Sequence, residues 1–404
     1  MNDKAQASIQ TGVRAMPRDI WALGFVSLFM DISSEMVHSL LPVFLVFTLG
    51  ANAEMVGLIE GIGEATASTS KLFSGWLSDR LGKRKFLTIM GYALGALSKP
   101  LFAIATTSSL VLAARFSDRV GKGIRAAPRD AMVADLVPVG LRGAAYGLRQ
   151  ALDTVGDFAG ALIAIALMAL SHDNFRLIFW LAVIPGLCSV VALIVGVREP
   201  PRQLTPIPVT AKLRDLKTIG RAYWIVLAVG TVPTLARFGE AFLILRAHSA
   251  GLPLALTPLV LVVMNLCYAL SAYPLGALSD RVNREQMLGV GFATLMVADI
   301  VLAVAPNLWF VMGGIAIWGL HLGMTQGLLA ALVADTAPGH LRATAFGMFN
   351  FSSGIALLLA SLVAGFLWTL IGPAAPFIAG AGFTALGLSG LFLYRRATPL
   401  ARGV

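Results

Sequence analysis

Acidic and basic residues recur at helical spacing inside strongly apolar sequence, and these are the positions with chemical potential. Asp31, Glu35 and His38 stand at i, i+4 and i+7, which places them within an arc of about 60° on one helix face. Glu60, Glu64 and Lys71 share a stripe on the next apolar segment. Arg115, Asp118, Arg119, Lys122, Arg125 and Arg129 cover about a third of another helix's circumference. Arg149, Asp153 and Asp157 step along one face of a further helix. Ionisable side chains at membrane depth cost about 2.5–3.5 kcal/mol each on insertion scales, and they mark solute and proton pathways by default. Lipid cannot accommodate such stripes, so they are expected to face a shared interior.

Carboxylates in that setting are suited to proton exchange. Burial disfavours the charged form, a neighbouring arginine favours it, and the balance shifts when the partner moves. Asp31 and Glu35 are the first expected proton carriers, followed by Glu64, Asp153 and Asp157. Arg119 and Lys122 are expected to bind an anionic solute, or to replace it when the chamber is empty. Arg237, Asn265 and His321 fall near the middle of their helices in the second half and complete the expected solute-binding set. Two alternatives stand beside this reading: a paired network that only holds helices together, and a hydrogen-bonded structural role for His321. Arg237 and Glu240 are spaced to pair with each other. Lys99 and Asp299 occupy equivalent positions near helix ends, where snorkelling or a helix contact is expected.

The elements that position these residues are membrane helices. The chain has 404 residues, of which 57% are hydrophobic and 13% charged, and its mean hydropathy is +0.80. That is far more apolar than a soluble domain. Twelve spans long enough to cross roughly 30 Å of hydrocarbon are read at 19–48, 54–79, 84–106, 108–136, 141–170, 175–197, 222–247, 253–279, 286–305, 308–335, 341–371 and 374–394. The predicted fold is therefore an all-α membrane protein of twelve transmembrane helices in two pseudo-symmetric six-helix bundles, residues 1–197 and 222–404. A proline-rich, basic cytoplasmic linker, 198–221, joins them.

The two halves repeat each other. Gly75-Trp-Leu-Ser-Asp79-Arg80 returns as Gly276-Ala-Leu-Ser-Asp280-Arg281, and Val133-Ala-Asp135 returns as Val333-Ala-Asp335. The offset stays near 200 residues, so the connecting loops are matched in length. Two like halves of membrane helices make a transporter architecture, with the solute site between repeats near the bilayer midplane.

The net charge of +10 does not indicate nucleic-acid binding. Lys and Arg concentrate in alternate loops and the tails, with Arg176 and Arg246 as the main exceptions. This is the positive-inside bias, and it predicts that both termini are cytoplasmic. Cys188 and Cys267 lie in different spans without metal-ligand spacing and read as small buried apolar side chains. No metal site, cofactor or nucleophile–base pair is expected, so the chain is not read as an enzyme. Residues 1–17 lack an apolar core, so the first span is expected to direct insertion.

Gly75-Trp-Leu-Ser-Asp79-Arg80-Leu-Gly82-Lys83-Arg84-Lys85 resembles the loop signature of the major facilitator superfamily, Gly-x-Leu-x-Asp-Arg-x-Gly-Arg/Lys-Arg/Lys. Arg115, Gly121, Gly123, Pro128 and Asp135 match a second motif of that family in span four. Asp31-Ile-Ser-Ser-Glu35 together with the Asp118–Asp130 stretch is similar to a bacterial subgroup. No Gly-Pro pair of the drug/proton antiporters accompanies Gly156 and Gly160. The resemblance implies alternating access, with Gly75, Asp79, Arg80, Gly82, Arg115 and Asp135 acting as a conformational-switch network. It also implies that spans one, four, seven and ten line the cavity. The expected function is a monomeric, proton-coupled secondary transporter in the bacterial inner membrane, partnered only by lipid, protons and a small organic solute, anionic or zwitterionic. Export is one direction; uptake of an anionic metabolite or metal chelate, or a non-transporting receptor, are the alternatives.

Overall fold

In this computed structural model, residues 16–81, 83–137, 142–199, 220–279, 284–336 and 342–397 are described. They form α1 (Arg18–His38), then α2 (Leu41–Val43) running into a π-helical turn (Phe44–Thr48), then α3 (Ala53–Leu81), α4 (Arg84–Ile104), α5 (Ser108–Leu136), α6 (Arg142–Ser171), α7 (Phe175–Leu181) and α8 (Val183–Gly196). The second half contributes α9 (Arg221–Thr234), α10 (Ala241–Ser249), α11 (Leu259–Ser279), α12 (Arg284–Val304), α13 (Leu308–Thr336), α14 (Arg342–Leu370) and α15 (Ala375–Ala397). No strand occurs among the described residues. The helices fall on the expected spans, with spans one, six and seven each divided into two helical pieces.

Among the described residues, eight segments are long and apolar enough to cross a membrane, and Tyr223–Thr234 and Ala375–Leu391 are shorter apolar helices. α3 and α5 are outside that set although each has 29 residues, which is about 43 Å of helix. Their charges lower the hydropathy. A helix of this kind crosses lipid only when its polar stripe faces protein or water.

Two compact units are present: Met1–His38 with Thr69–Leu204, and Ser39–Ser68 with Thr205–Val404. The division therefore passes just after α1 and through the middle of α3. The expected linker lies mostly outside the described residues. In the first unit α1 packs along α6 and α8, and α4 packs on α5, α7 and α8. In the second, α13 packs on α11 and α12, α12 on α15, and α9 on α14 and α15. The first half of α3 lies along α14, where Gly61 meets Leu358 and Ser68 meets Gly354. Small residues at such crossings let helix backbones approach closely.

The repeat extends to local devices. Thr107 caps α5 by accepting from Leu110 N at 3.3 Å, and Asn307 accepts from Phe310 N at 3.2 Å at the start of α13. Gly50 and Gly251 turn the chain with φ of 67° and 100°, a region that side chains beyond glycine rarely adopt. The two exceptions to the charge bias also correspond. Arg176 donates to Ala103 O and Ala105 O at 2.9 and 2.8 Å. Arg246 donates to Leu302 O and Ala305 O at 2.9 and 3.1 Å. Each satisfies carbonyls at the C-terminal end of a helix, α4 and α12, where the dipole favours a cation.

One expectation about packing is corrected. Cys188 is exposed and Cys267 half-buried. α8 carries apolar side chains around most of its surface, with Ile184, Leu187, Val191 and Ile194 also exposed, so an apolar thiol there needs no burial.

Candidate functional site

The first unit gathers most of the polar stripes into one network. α6 approaches α1 through two glycines: a Cβ on Gly156 would stand 3.1 Å from Asp31 Cβ, and one on Gly160 would stand 2.9 Å from Glu35 Cβ. The absence of side chains there seats Asp31 and Glu35 directly against the helix that carries Asp153 and Asp157. The carboxylate of Asp31 is repelled by Asp153 and attracted by Arg125, Arg129 and Lys122, and Asp157 feels Asp31, Glu35 and Asp153, with Lys122 offsetting part of the repulsion. Asp153 Oδ2 accepts from Arg149 Nη1 at 2.6 Å, while its Oδ1 is buried without a partner among the described residues. Asp31 and Asp157 make neither a hydrogen bond nor an ion pair among the described residues. Two half-buried acids without donors, held beside further acids, form a site at which a proton relieves repulsion.

The cations of α4 and α5 have separate partners. Lys99 Nζ donates to Asp118 Oδ1 at 2.7 Å and to Ser34 Oγ at 3.2 Å. Arg119 Nε lies 4.0 Å from Asp118 Oδ2, and its guanidinium contacts the His38 ring. Arg125 stacks over the Tyr92 ring at 4.9 Å. Arg129 donates to Ser27 Oγ at 3.0 Å and Tyr92 OH at 3.4 Å. Lys122 is exposed, unlike Arg119 and Arg125. Lys99 is buried and ion-paired, so it forms a helix contact and does not snorkel.

The second unit has its own polar cavity, of about 360 Å³, whose walls include Glu64, Arg237, Gln326, Phe349, Asn350 and Ser353. The helix that supplies Arg237 is interrupted. α9 ends at Thr234, just after Pro233, and α10 starts at Ala241. Arg237 thus sits on non-helical chain, where a continuous span was expected. Arg237 N still bonds Thr234 O at 3.0 Å, and Gly239 N donates to Ser361 Oγ at 3.1 Å, which satisfies the freed backbone as burial requires. Span one is interrupted at the corresponding place: α1 ends at His38, and α2 opens with Pro42 in its first turn. Interrupted helices at equivalent positions of two repeats are a structural pointer to a transporter's binding region.

Among the expected residues, Asp31, Glu35, Asp153 and Asp157 are brought together in the first unit, with Arg119 and Lys122 on α5. Glu64 belongs to the second unit and shares its cavity with Arg237. Glu240 is exposed, on the chain that interrupts the helix, and it acts on Arg237 electrostatically, as does Tyr268. His321 is buried, with Nδ1 2.8 Å from Gly291 O, and Thr325 beside it; it does not line this cavity. Asn265 is half-buried on α11 and likewise lies off its walls.

In the switch network, Gly75 packs with its Cα facing Ala127, and Asp135 Oδ2 pairs with Arg84 Nη1 at 2.5 Å. The side chains of Asp79 and Arg80 and all of Gly82 lie outside the described residues. Arg115 is separated from Asp135 by most of α5, about 30 Å of helical rise. It lies among the buried charges near His38. Ser353, Asn350, Gln326 and Phe349 were not foreseen. The signals that point to them are Pro42 and Pro233 inside the two corresponding spans, since proline removes a helical hydrogen bond.

The family model of the Major Facilitator Superfamily matches residues 23–258 and 241–403. An uncharacterized MFS-type transporter of Methanocaldococcus jannaschii is 29% identical over 388 residues, covering 94% of this chain and 95% of that protein. The tetracycline resistance protein, class C, of Escherichia coli is 33% identical over 139 residues, 34% of this chain and 35% of that one. The quinolone resistance protein NorA of Staphylococcus aureus is 25% identical over 190 residues, 47% of this chain and 48% of that one. Among solved structures, a POT family transporter in complex with 5-aminolevulinic acid superposes with a TM-score of 0.80 at 14% identity, covering 96% of this chain and 98% of that one. The nucleoside transporter NupG gives 0.77 at 12% identity, covering 93% and 99%. Motif, repeat and helical layout converge with these matches: the chain belongs to the Major Facilitator Superfamily and is a multi-pass membrane transporter, not an enzyme.

Proposed function

We propose that this transporter is proton-coupled and moves a small organic solute, anionic or zwitterionic, across a bacterial inner membrane by alternating access, as a monomer with both termini cytoplasmic. The supporting observation is the acid cluster of the first unit. Asp31 and Asp157 have no hydrogen bond or ion pair among the described residues and repel neighbouring carboxylates. A proton bound there lowers that repulsion, so its arrival and departure bias the conformations of α1 and α6. Export is the favoured direction, because partial matches reach proteins named for tetracycline and quinolone resistance. The basic residues of α5 favour a solute carrying negative charge.

The test is flux in proteoliposomes under an imposed pH gradient, with tetracycline, a quinolone and small organic anions as solutes and an internal pH dye as the second readout. Solute movement coupled to proton movement is expected, and Asp31→Asn with Glu35→Gln removes the coupling. Proton-dependent flux that survives unchanged in that double variant overturns the assignment.

A further inference from the structure

The cavity of the second unit sets several hydrogen-bond donors beside one acid, Glu64. Glu240 and Tyr268 act on the Arg237 guanidinium electrostatically, and its N–H groups line the cavity without a hydrogen bond among the described residues. Ser353 Oγ, on the same cavity, is buried without a partner among the described residues. Asn350 and Gln326 add amide groups to the wall, and Phe346 and Phe349 add aromatic surface. A guanidinium at membrane depth with five N–H groups to satisfy is costly unless something accepts from it. Its natural partner is an anion with two acceptor oxygens, which arginine binds bidentately.

We infer that this cavity binds an organic monoanion, a carboxylate or similar oxyanion on an aromatic or apolar body, with the anionic head on Arg237 and Ser353 and the body on Phe346 and Phe349. The proposal rests on the transport reading above and names the solute chemistry of one of its sites. The cavity, about 360 Å³, is at the small end for ligand sites, which favours a compact solute. The unwound backbone on which Arg237 sits supports the same reading, because the guanidinium is carried by chain that can rearrange when the anion binds.

Equilibrium binding to the purified full-length protein tests this without any flux. The probes are 4-phenylbutyrate, its neutral amide 4-phenylbutyramide and the cation 4-phenylbutylamine, read by equilibrium dialysis and thermal shift. The carboxylate is expected to bind at least about tenfold more tightly than the other two, the factor of a charge-assisted hydrogen bond. Arg237→Gln removes that preference, Arg237→Lys keeps part of it, and Ser353→Ala reduces it by about threefold. Equal binding of all three probes, tighter binding of the amine, no saturable binding of the carboxylate, or an unaltered preference in Arg237→Gln overturns the inference. If Arg237→Gln does not fold, Arg237→Lys and the three-probe comparison on the unsubstituted protein decide. Gly313→Ala, where an added Cβ meets nothing within 4 Å, is expected to bind the carboxylate normally. Loss of proton coupling with intact anion binding removes only the coupling assignment, and proton-coupled flux without anion preference removes only this one.

Discussion

Lys99 Nζ donates to Asp118 Oδ1 at 2.7 Å, joining α4 to α5 inside the first unit, with the two side chains 1% and 6% exposed. At the equivalent positions about 200 residues on, the repeat has Asp299 and Trp318. Asp299 is fully buried, and neither carboxylate oxygen has a hydrogen-bond partner among the described residues. The same two places in the fold thus hold a matched charge pair in one unit and an unmatched acid in the other.

Removing one member of the matched pair leaves the other charge buried. Lys99→Met is expected to destabilise by about 3–5 kcal/mol, measured by unfolding of the purified protein in detergent. Lys99→Met combined with Asp118→Leu recovers most of the loss. A double variant no more stable than the single one would show that the pair is not the source of the effect.

Asp299 offers the converse case. Asp299→Asn preserves shape and removes neither a hydrogen bond nor an ion pair among the described residues, so a small loss at most is expected. Asp118→Asn, which breaks a buried pair, costs several times as much by the same measurement. Equal losses at the two positions would contradict the difference in pairing.

Helix approach at Gly160 is too close for a side chain. A Cβ there would lie 2.8 Å from Ile32 O and 2.9 Å from Glu35 Cβ, so Gly160→Ala should cost about 1–3 kcal/mol through forced displacement. Flux should fall with it, since Glu35 moves. Gly313 is the control: a Cβ there meets nothing within 4 Å, and Gly313→Ala should be neutral or stabilising by up to about 1 kcal/mol.

The interruption between α9 and α10 depends on a side chain from α14. Ser361→Ala deprives Gly239 N of its acceptor and should cost about 1–3 kcal/mol. It should also weaken carboxylate binding in the cavity, because Arg237 stands two residues before Gly239. An unchanged melting temperature would mean that the freed amide finds another acceptor.

Membrane insertion, the helical spans and the twofold repeat were legible in the sequence, because each depends on local properties. Apolar runs define helices that satisfy their own backbone in lipid, and a repeated chain builds repeated devices such as Thr107 and Asn307 or Gly50 and Gly251. Periodicity also placed Asp31, Glu35, Asp153 and Asp157 on faces that turn towards one another. What spacing does not carry is the partner across helices. Asp118 pairs with Lys99, Arg237 stands on unwound chain, Glu64 belongs to the second unit, and Arg115 lies a helix length from Asp135. These are decided by interhelical packing, in which glycine contacts and proline breaks shift side chains by ångströms. Charge energies change over that same distance, so tertiary structure alone separated paired charges such as Lys99 and Asp118 from acids such as Asp299, whose carboxylate has no hydrogen-bond partner among the described residues.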